Sequence, residues 1–147
     1  MPSLIIPERV LRAMIEQAQA AAPIEACGVL SGRGRRVLDI HPMTNADNSP
    51  DHFTLVPAEQ FATAKQVRAA GNETLAVYHS HPATPARPSD EDIRLAFAPD
   101  VVYVILSLAY VSRPVIRGFR IADRRVLHTP VIIESDEYVE SGARGEL

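Results

Sequence analysis

The sequence predicts one mixed-sheet α/β domain with helices packed on its sheet. Three observations lead there. Helical and strand-like segments follow in the order helix, strands, helix, strand, helix, strands, the pattern of a layered α/β domain. The length of 147 residues suits a single core of ordinary size. A composition that is 46% hydrophobic and 22% charged is that of a globular chain, so the core needs no disulfide or metal to hold it.

The elements can be justified in turn. From Pro7 to Ala22 the apolar residues Val10, Leu11, Met14, Ile15, Ala18 and Ala22 form a helical stripe. Proline is tolerated in the first turn, and Pro23 ends the helix because the residue before a proline disfavours helical backbone. Ala26 to Ser31 is short and apolar, Gly32-Arg33-Gly34 reads as a turn, and Arg36 to His41 alternates; together they predict a hairpin. Pro42 to Asp51 is loop chemistry, and His52 to Val56 reads as another strand. Pro57 to Ala70 is a second helix with Phe61, Ala64 and Val67 on one side, closed by Gly71-Asn72. Leu75 to Tyr78 is a strand running into His79. Pro82, Pro85 and Pro88 make the next stretch an irregular loop, and Ser89 opens a short third helix. Strands are expected at Val101–Leu108, Val115–Ile121 and Arg125–Ile133. One domain is therefore expected over residues 1–133. Residues 134–147 read as an acidic, glycine-containing, flexible tail.

Several classes of protein are disfavoured at once. A formal net charge of −3 argues against a nucleic-acid binder, which is usually basic. Cys27 is the single cysteine, so no intrachain disulfide or cysteine-based zinc cluster can form, and a reducing cytosol is compatible. The N-terminal residues lack the pattern of a signal peptide, and no apolar run reaches the ~18 residues of a membrane span. A cytoplasmic, membrane-free protein is the expectation.

The chemistry concentrates in His79-Ser80-His81-Pro82 and, beyond the proline-rich loop, Ser89 and Asp92. On extended backbone the spacing of His79 and His81 points both rings to one side. The prolines stiffen the loop, so it can return the next helix with little entropy to lose. Ser89 sits where a helix N-cap belongs, and Asp92, three residues on, lies in the first turn within reach of the histidines. Two imidazoles and one carboxylate leave a fourth tetrahedral position for water, the arrangement of a catalytic zinc. The set also accepts iron or manganese. Ser89 and Asp92 taken alone are more often a helix cap than anything catalytic.

A base is also needed to take the proton of the attacking water and pass it to the leaving amine. Glu25, at the entrance to the apolar run Ala26–Leu30, is the candidate, and it also fits a solvated helix-end carboxylate. Cys27, inside that run, reads as packing rather than as a nucleophile.

These residues resemble the JAMM motif of the MPN/Mov34/PAD-1 metalloproteases. Glu25 followed by Gly28-x-Leu30-x-Gly32 matches that family's upstream pattern as well, so the resemblance runs from Ile5 to about Ile133. It implies a three-layer α/β/α sandwich with a mixed β-sheet, cytidine-deaminase-like. It implies zinc on His79, His81 and Asp92, Glu25 as general acid/base, and Ser89 steadying the oxyanion with a hydroxyl aimed at the substrate. The compact chain looks like the stand-alone prokaryotic branch, for which ubiquitin-like or sulfur-carrier proteins of the β-grasp type are the implied partners. Residues His41 to Pro50 resemble the corresponding segment of sulfur-carrier-protein hydrolases. The implied reaction is hydrolysis of an amide or isopeptide bond at a C-terminal Gly-Gly tail, laid along a strand or loop edge by β-addition.

Two alternatives share the motif. A RadC-like protein linked to DNA repair would carry a preceding helical region and a basic face. A non-catalytic MPN interaction module would have lost a ligand, and none is missing. A zinc nucleoside deaminase needs a Cys-x-x-Cys pair, which a single cysteine excludes. His41 and His52 flank the loop and are candidates to line the cleft, while His128 falls within an expected strand. The particular carrier and the oligomeric state are not readable from these residues.

Overall fold

A computed structural model describes residues 3–110 and 113–136. Eight strands form one mixed sheet: β1 (Leu4–Pro7), β2 (Cys27–Arg33), β3 (Arg36–Met43), β4 (Glu73–His81), β5 (Val102–Ser107), β6 (Val115–Ala122), β7 (Arg125–Thr129) and β8 (Val131–Glu134). Their order across the sheet is β7-β6-β5-β4-β2-β3-β1-β8. Three helices join them: α1 (Glu8–Ala21), α2 (Pro57–Ala69) and α3 (Asp90–Leu95).

The two-residue period of the strands sorts side chains into two layers. Leu30, Ala76, Tyr78, Val102, Val104 and Leu106 face one way and pack with Val10, Met14 and Ala18 of α1. On the other face, Val77, Tyr103 and Ile105 pack with Ile93 of α3, and Cys27 and Val29 pack with Met43 and Leu55. α1 therefore covers one face and α2 and α3 the other, as the three-layer α/β/α expectation requires. No described helix is long and apolar enough to cross a membrane.

Four details depart from the sequence expectation. Leu4–Pro7 is a strand, with Pro7 as the N-cap of α1 rather than its first residue. His52–Val56 is not a strand: only an isolated bridge, Asn45 to Leu55, forms there. The helix stripe Phe61, Ala64, Val67 is mostly open to solvent, with Phe61 68% exposed and Val67 alone buried. Arg125–Ile133 splits at Pro130 into two strands on opposite edges of the sheet. Proline has no N–H to donate to a ladder, but its carbonyl accepts from Leu4 N at 2.9 Å. Because Thr129 pairs with β6 and Val131 with β1, the sheet curls until its two edges meet there.

The expected tail boundary also shifts. Glu134 ends β8 and pairs with Arg36, and Asp136 accepts from Arg12 at 2.5 Å. Residues 137–147 lie outside the described residues.

Candidate metal centre

β4 runs farther than expected, to His81, which carries both histidines into the sheet. Cys27 is registered with His79, and β4 is parallel to β5 on its other side, so the histidine pair sits between two strands and is almost fully buried. Their rings share the face of Val77, beneath α3. Ser80 and Tyr78 face α1.

The proline loop folds back as the spacing predicts. Ala86 is buried against the cluster that holds Val77 and Ile105, and Ser107 Oγ donates to the Thr84 carbonyl at 2.5 Å. Pro85 presents its carbonyl to His81 Nδ1 at 2.9 Å. A carbonyl only accepts, so Nδ1 carries a proton there, and Nε2 is the nitrogen that would turn to a metal.

α3 then delivers Asp92. Ser89 Oγ accepts from Asp92 N at 3.0 Å, and Ser89 N donates to Asp92 Oδ2 at 2.9 Å, a reciprocal capping box. The same Oδ2 lies 3.2 Å from Nε2 of His79 and 3.2 Å from Nε2 of His81, and the two nitrogens are 3.1 Å apart. A tetrahedral site with arms of ~2.0–2.1 Å has edges of about 3.3 Å, so three of its corners are already in place. The two imidazoles and the carboxylate form a group that can hold a metal ion. Burial opposes ionisation of Asp92, but the hydrogen bonds from His79, His81 and the Ser89 backbone outweigh it and hold the carboxyl well below the usual range. It is therefore available as a charged ligand.

Glu25 stands beside this group. It lies two residues before Cys27, which is registered with His79, and close enough to His81 and Asp92 for their charges to act on it. The residue is 3% exposed and its Oε1 is buried without a hydrogen-bond partner. Burial, reinforced by the charge of Asp92 and opposed by that of His81, pushes its carboxyl up to about 8. It is therefore not a solvated helix-end carboxylate.

Ser89 is a cap in this structure, with its oxygen engaged by Asp92 N; its proton is left to donate. Cys27 is fully buried, and burial above all pushes its thiol up to about 12, which fits packing. His52 lines a cleft of about 330 Å³ with Phe53, Leu55, Asp92, Leu95 and Phe97. His41 bonds Ser31 Oγ at 2.7 Å, outside the cluster. His128 of β7 packs edge-to-face with Phe119 of β6. A larger cavity of about 440 Å³ lies at the other end of β4, among Arg35, Glu73, Asp100 and Arg120, and shares no residue with the cluster. The residue that sequence reasoning missed is Phe53, whose ring stacks on His79 at 4.7 Å. Only its place within the expected strand His52–Val56 hinted at it.

A mixed sheet with this donor set at its strand ends is the build of a metalloprotease-like hydrolase of the JAMM type. The chain belongs to the prokaryotic homologs of the JAB domain, matching that family over residues 7–122. It is 39% identical over 130 residues to the CysO-cysteine peptidase of Mycobacterium tuberculosis, covering 87% of this chain and 89% of that one. It is 31% identical over 105 residues to the desampylase of Pyrococcus furiosus, covering 71% and 74%. Among solved structures it is similar to protein DSY2949 from Desulfitobacterium hafniense, with a TM-score of 0.84, 41% identity, and coverage of 90% of this chain and 94% of that one. The named relatives are hydrolases, and this chain is an enzyme of that class.

Proposed function

We propose that this chain is a cytoplasmic zinc metallopeptidase that cleaves the amide or isopeptide bond following the C-terminal Gly-Gly of a ubiquitin-like or sulfur-carrier protein. The observation that carries the reading is Glu25: a buried carboxylate with an unpartnered oxygen, close enough to His81 and Asp92 for their charges to act on it. His79 and His81 would contribute their Nε2 atoms and Asp92 its Oδ2 to the metal. Bound there, zinc supplies a Lewis acid that acidifies water and polarises the scissile carbonyl.

The residues of the chain do the rest. Glu25 takes the proton of the attacking water and hands it to the leaving amine. Glu25, lifted by burial, would be favoured in its ionised form beside a cation held by His79, His81 and Asp92. The Ser89 hydroxyl donates to the oxygen that gains charge as the carbonyl is attacked. The cleft lined by Phe53, Leu55, Leu95 and Phe97 leads to Asp92. Ala46 N donates to Thr54 O at 2.8 Å and Asn45 bridges Leu55, so one side of this segment is paired and an extended tail would add along its other side. Glycine at the scissile position lets that backbone approach closely. The relatives named CysO-cysteine peptidase and desampylase support a carrier or conjugate substrate.

The test is mass analysis of a β-grasp carrier bearing residues after its Gly-Gly. Cleavage after the second glycine should require metal and disappear in a Glu25→Gln variant that still binds zinc. Normal cleavage by that variant would remove Glu25 as the base.

A further inference from the structure

Between the two histidines, Ser80 faces away from the cluster, and its bonding breaks the regular ladder. Ala26 and Ser80 stand one residue beyond Cys27 and His79, the last registered pair. In an antiparallel ladder a hydrogen-bonded pair exchanges two N–H to carbonyl bonds. Ser80 N does donate to the Ala26 carbonyl at 2.9 Å. Ala26 N, however, donates to Ser80 Oγ at 2.8 Å. The side chain of Ser80 has taken over the acceptor role of its own backbone carbonyl.

One residue earlier the chain has changed partners. Glu25 N donates to the Ser49 carbonyl at 2.9 Å, and Asn45 Nδ2 donates to the Glu25 carbonyl at 3.1 Å. Both backbone groups of Glu25 are thus held by the loop at residues 45–49, and its link to the histidine strand runs through Ala26 and Ser80. Ser80 is 2% exposed and Ala26 5%, so water does not substitute for the bond. Hydroxyl and peptide carbonyl differ in reach and direction. The exchange lets the two strands diverge at the pair adjoining Glu25 and His81 while keeping Ala26 N satisfied.

We propose that Ser80 is a positioning residue that sets where Glu25 stands relative to the His79–His81–Asp92 group, through its hydroxyl bond to the Ala26 amide. The inference rests on the reading of Glu25 as acid/base. It assigns Ser80 no contact with substrate or metal. Removing the hydroxyl leaves the ligands on β4 and α3 but frees the Glu25 segment to relax toward the regular ladder.

The experiment compares full-length zinc-loaded wild type with Ser80→Ala, Ser80→Thr and Glu25→Gln. For Ser80→Ala we expect unchanged zinc stoichiometry and affinity, faster hydrogen exchange at the Ala26 amide, and a kcat lowered roughly 10–100-fold, the usual effect of losing an outer-shell partner, with KM within about twofold. Ser80→Thr, which keeps the hydroxyl, should restore both the protection and kcat. If Ser80→Ala fails to fold, Ser80→Cys, a weaker acceptor of similar size, should show the same pattern at smaller amplitude. Full activity in Ser80→Ala alongside an inactive Glu25→Gln would overturn the positioning role alone. Zinc loss in parallel with kcat would overturn it too, by showing that Ser80 acts on the ligands. Full activity in Glu25→Gln would sink the acid/base reading and this inference with it.

Discussion

The ring of Phe53 stacks on that of His79, with centroids 4.7 Å apart and planes 28° from parallel. The contact answers a specific lack. His81 is oriented by its bond to the Pro85 carbonyl, whereas Nδ1 of His79 is buried without a hydrogen-bond partner. Packing must do for His79 what a hydrogen bond does for His81.

Truncating that ring should therefore loosen the metal. Phe53→Ala is expected to weaken zinc affinity roughly 10–100-fold, and Phe53→Tyr, which keeps a ring, much less. Competition against a chromophoric chelator measures both. Equal affinities for the three proteins would show that stacking does not orient His79.

Glu25 gives the metal-free protein a signed pH dependence. Its carboxyl rises from 4.5 to about 8, first through burial, with Asp92 adding and His81 opposing. Between those values the folded chain holds a proton that the unfolded chain has lost. The contribution to stability is full below about 4.5, falls as pH rises, and is gone above about 8, with a slope of at most about 1.4 kcal/mol per pH unit. Thermal melts of chelated wild type and Glu25→Gln should differ across that window, the variant lacking this component. Parallel curves would mean that Glu25 does not hold the proton.

Gly28 is registered with Tyr78, and a Cβ there would run into the Tyr78 hydroxyl and the His41 carbonyl. Tyr78 cannot simply move: its hydroxyl donates to Gln17 Oε1 at 2.5 Å, and Gln17 Nε2 donates to the Cys27 carbonyl at 3.0 Å, tying α1 to the strand beside the site. Gly28→Ala should cost about 1–3 kcal/mol, the usual scale of overpacking. Adding Tyr78→Phe, which removes the nearest clashing atom, should recover part of it. Chemical denaturation reads both, and a neutral Gly28→Ala would show that the backbone gives way there.

The two roles of Ser89 separate by substitution. Ser89→Ala should lose about 0.5–2 kcal/mol of cap together with activity. Ser89→Asp supplies an equally good cap and no hydroxyl proton. If Ser89 also steadies the oxyanion, the aspartate variant recovers thermal stability but not kcat. Recovery of both would leave Ser89 as a cap alone.

Much of this site was legible because its residues are close in the chain and their geometry is local. The one-residue spacing of His79 and His81 needs only extended backbone to converge, and the Ser89–Asp92 pairing needs only a first helical turn. The strand assigned to His52–Val56 failed because alternation of apolar residues describes burial on one side, and a segment can have that while bonding its neighbour at a single bridge. The split at Pro130 was written in the residue, but its meaning was not. A proline interrupts a ladder, and nothing local says that the chain then joins the far edge of the sheet.

By itself the sequence determined the family, the donor set and the loop that returns Asp92, since each depends on residue type and short spacing. The tertiary structure alone decided that Glu25 lies close to His81, that Ser80 bridges to Ala26, and that Phe53 covers His79. Those contacts join residues 26 to 56 positions apart in the chain. Strand register and burial bring such pairs together, and neither is a property of any one segment.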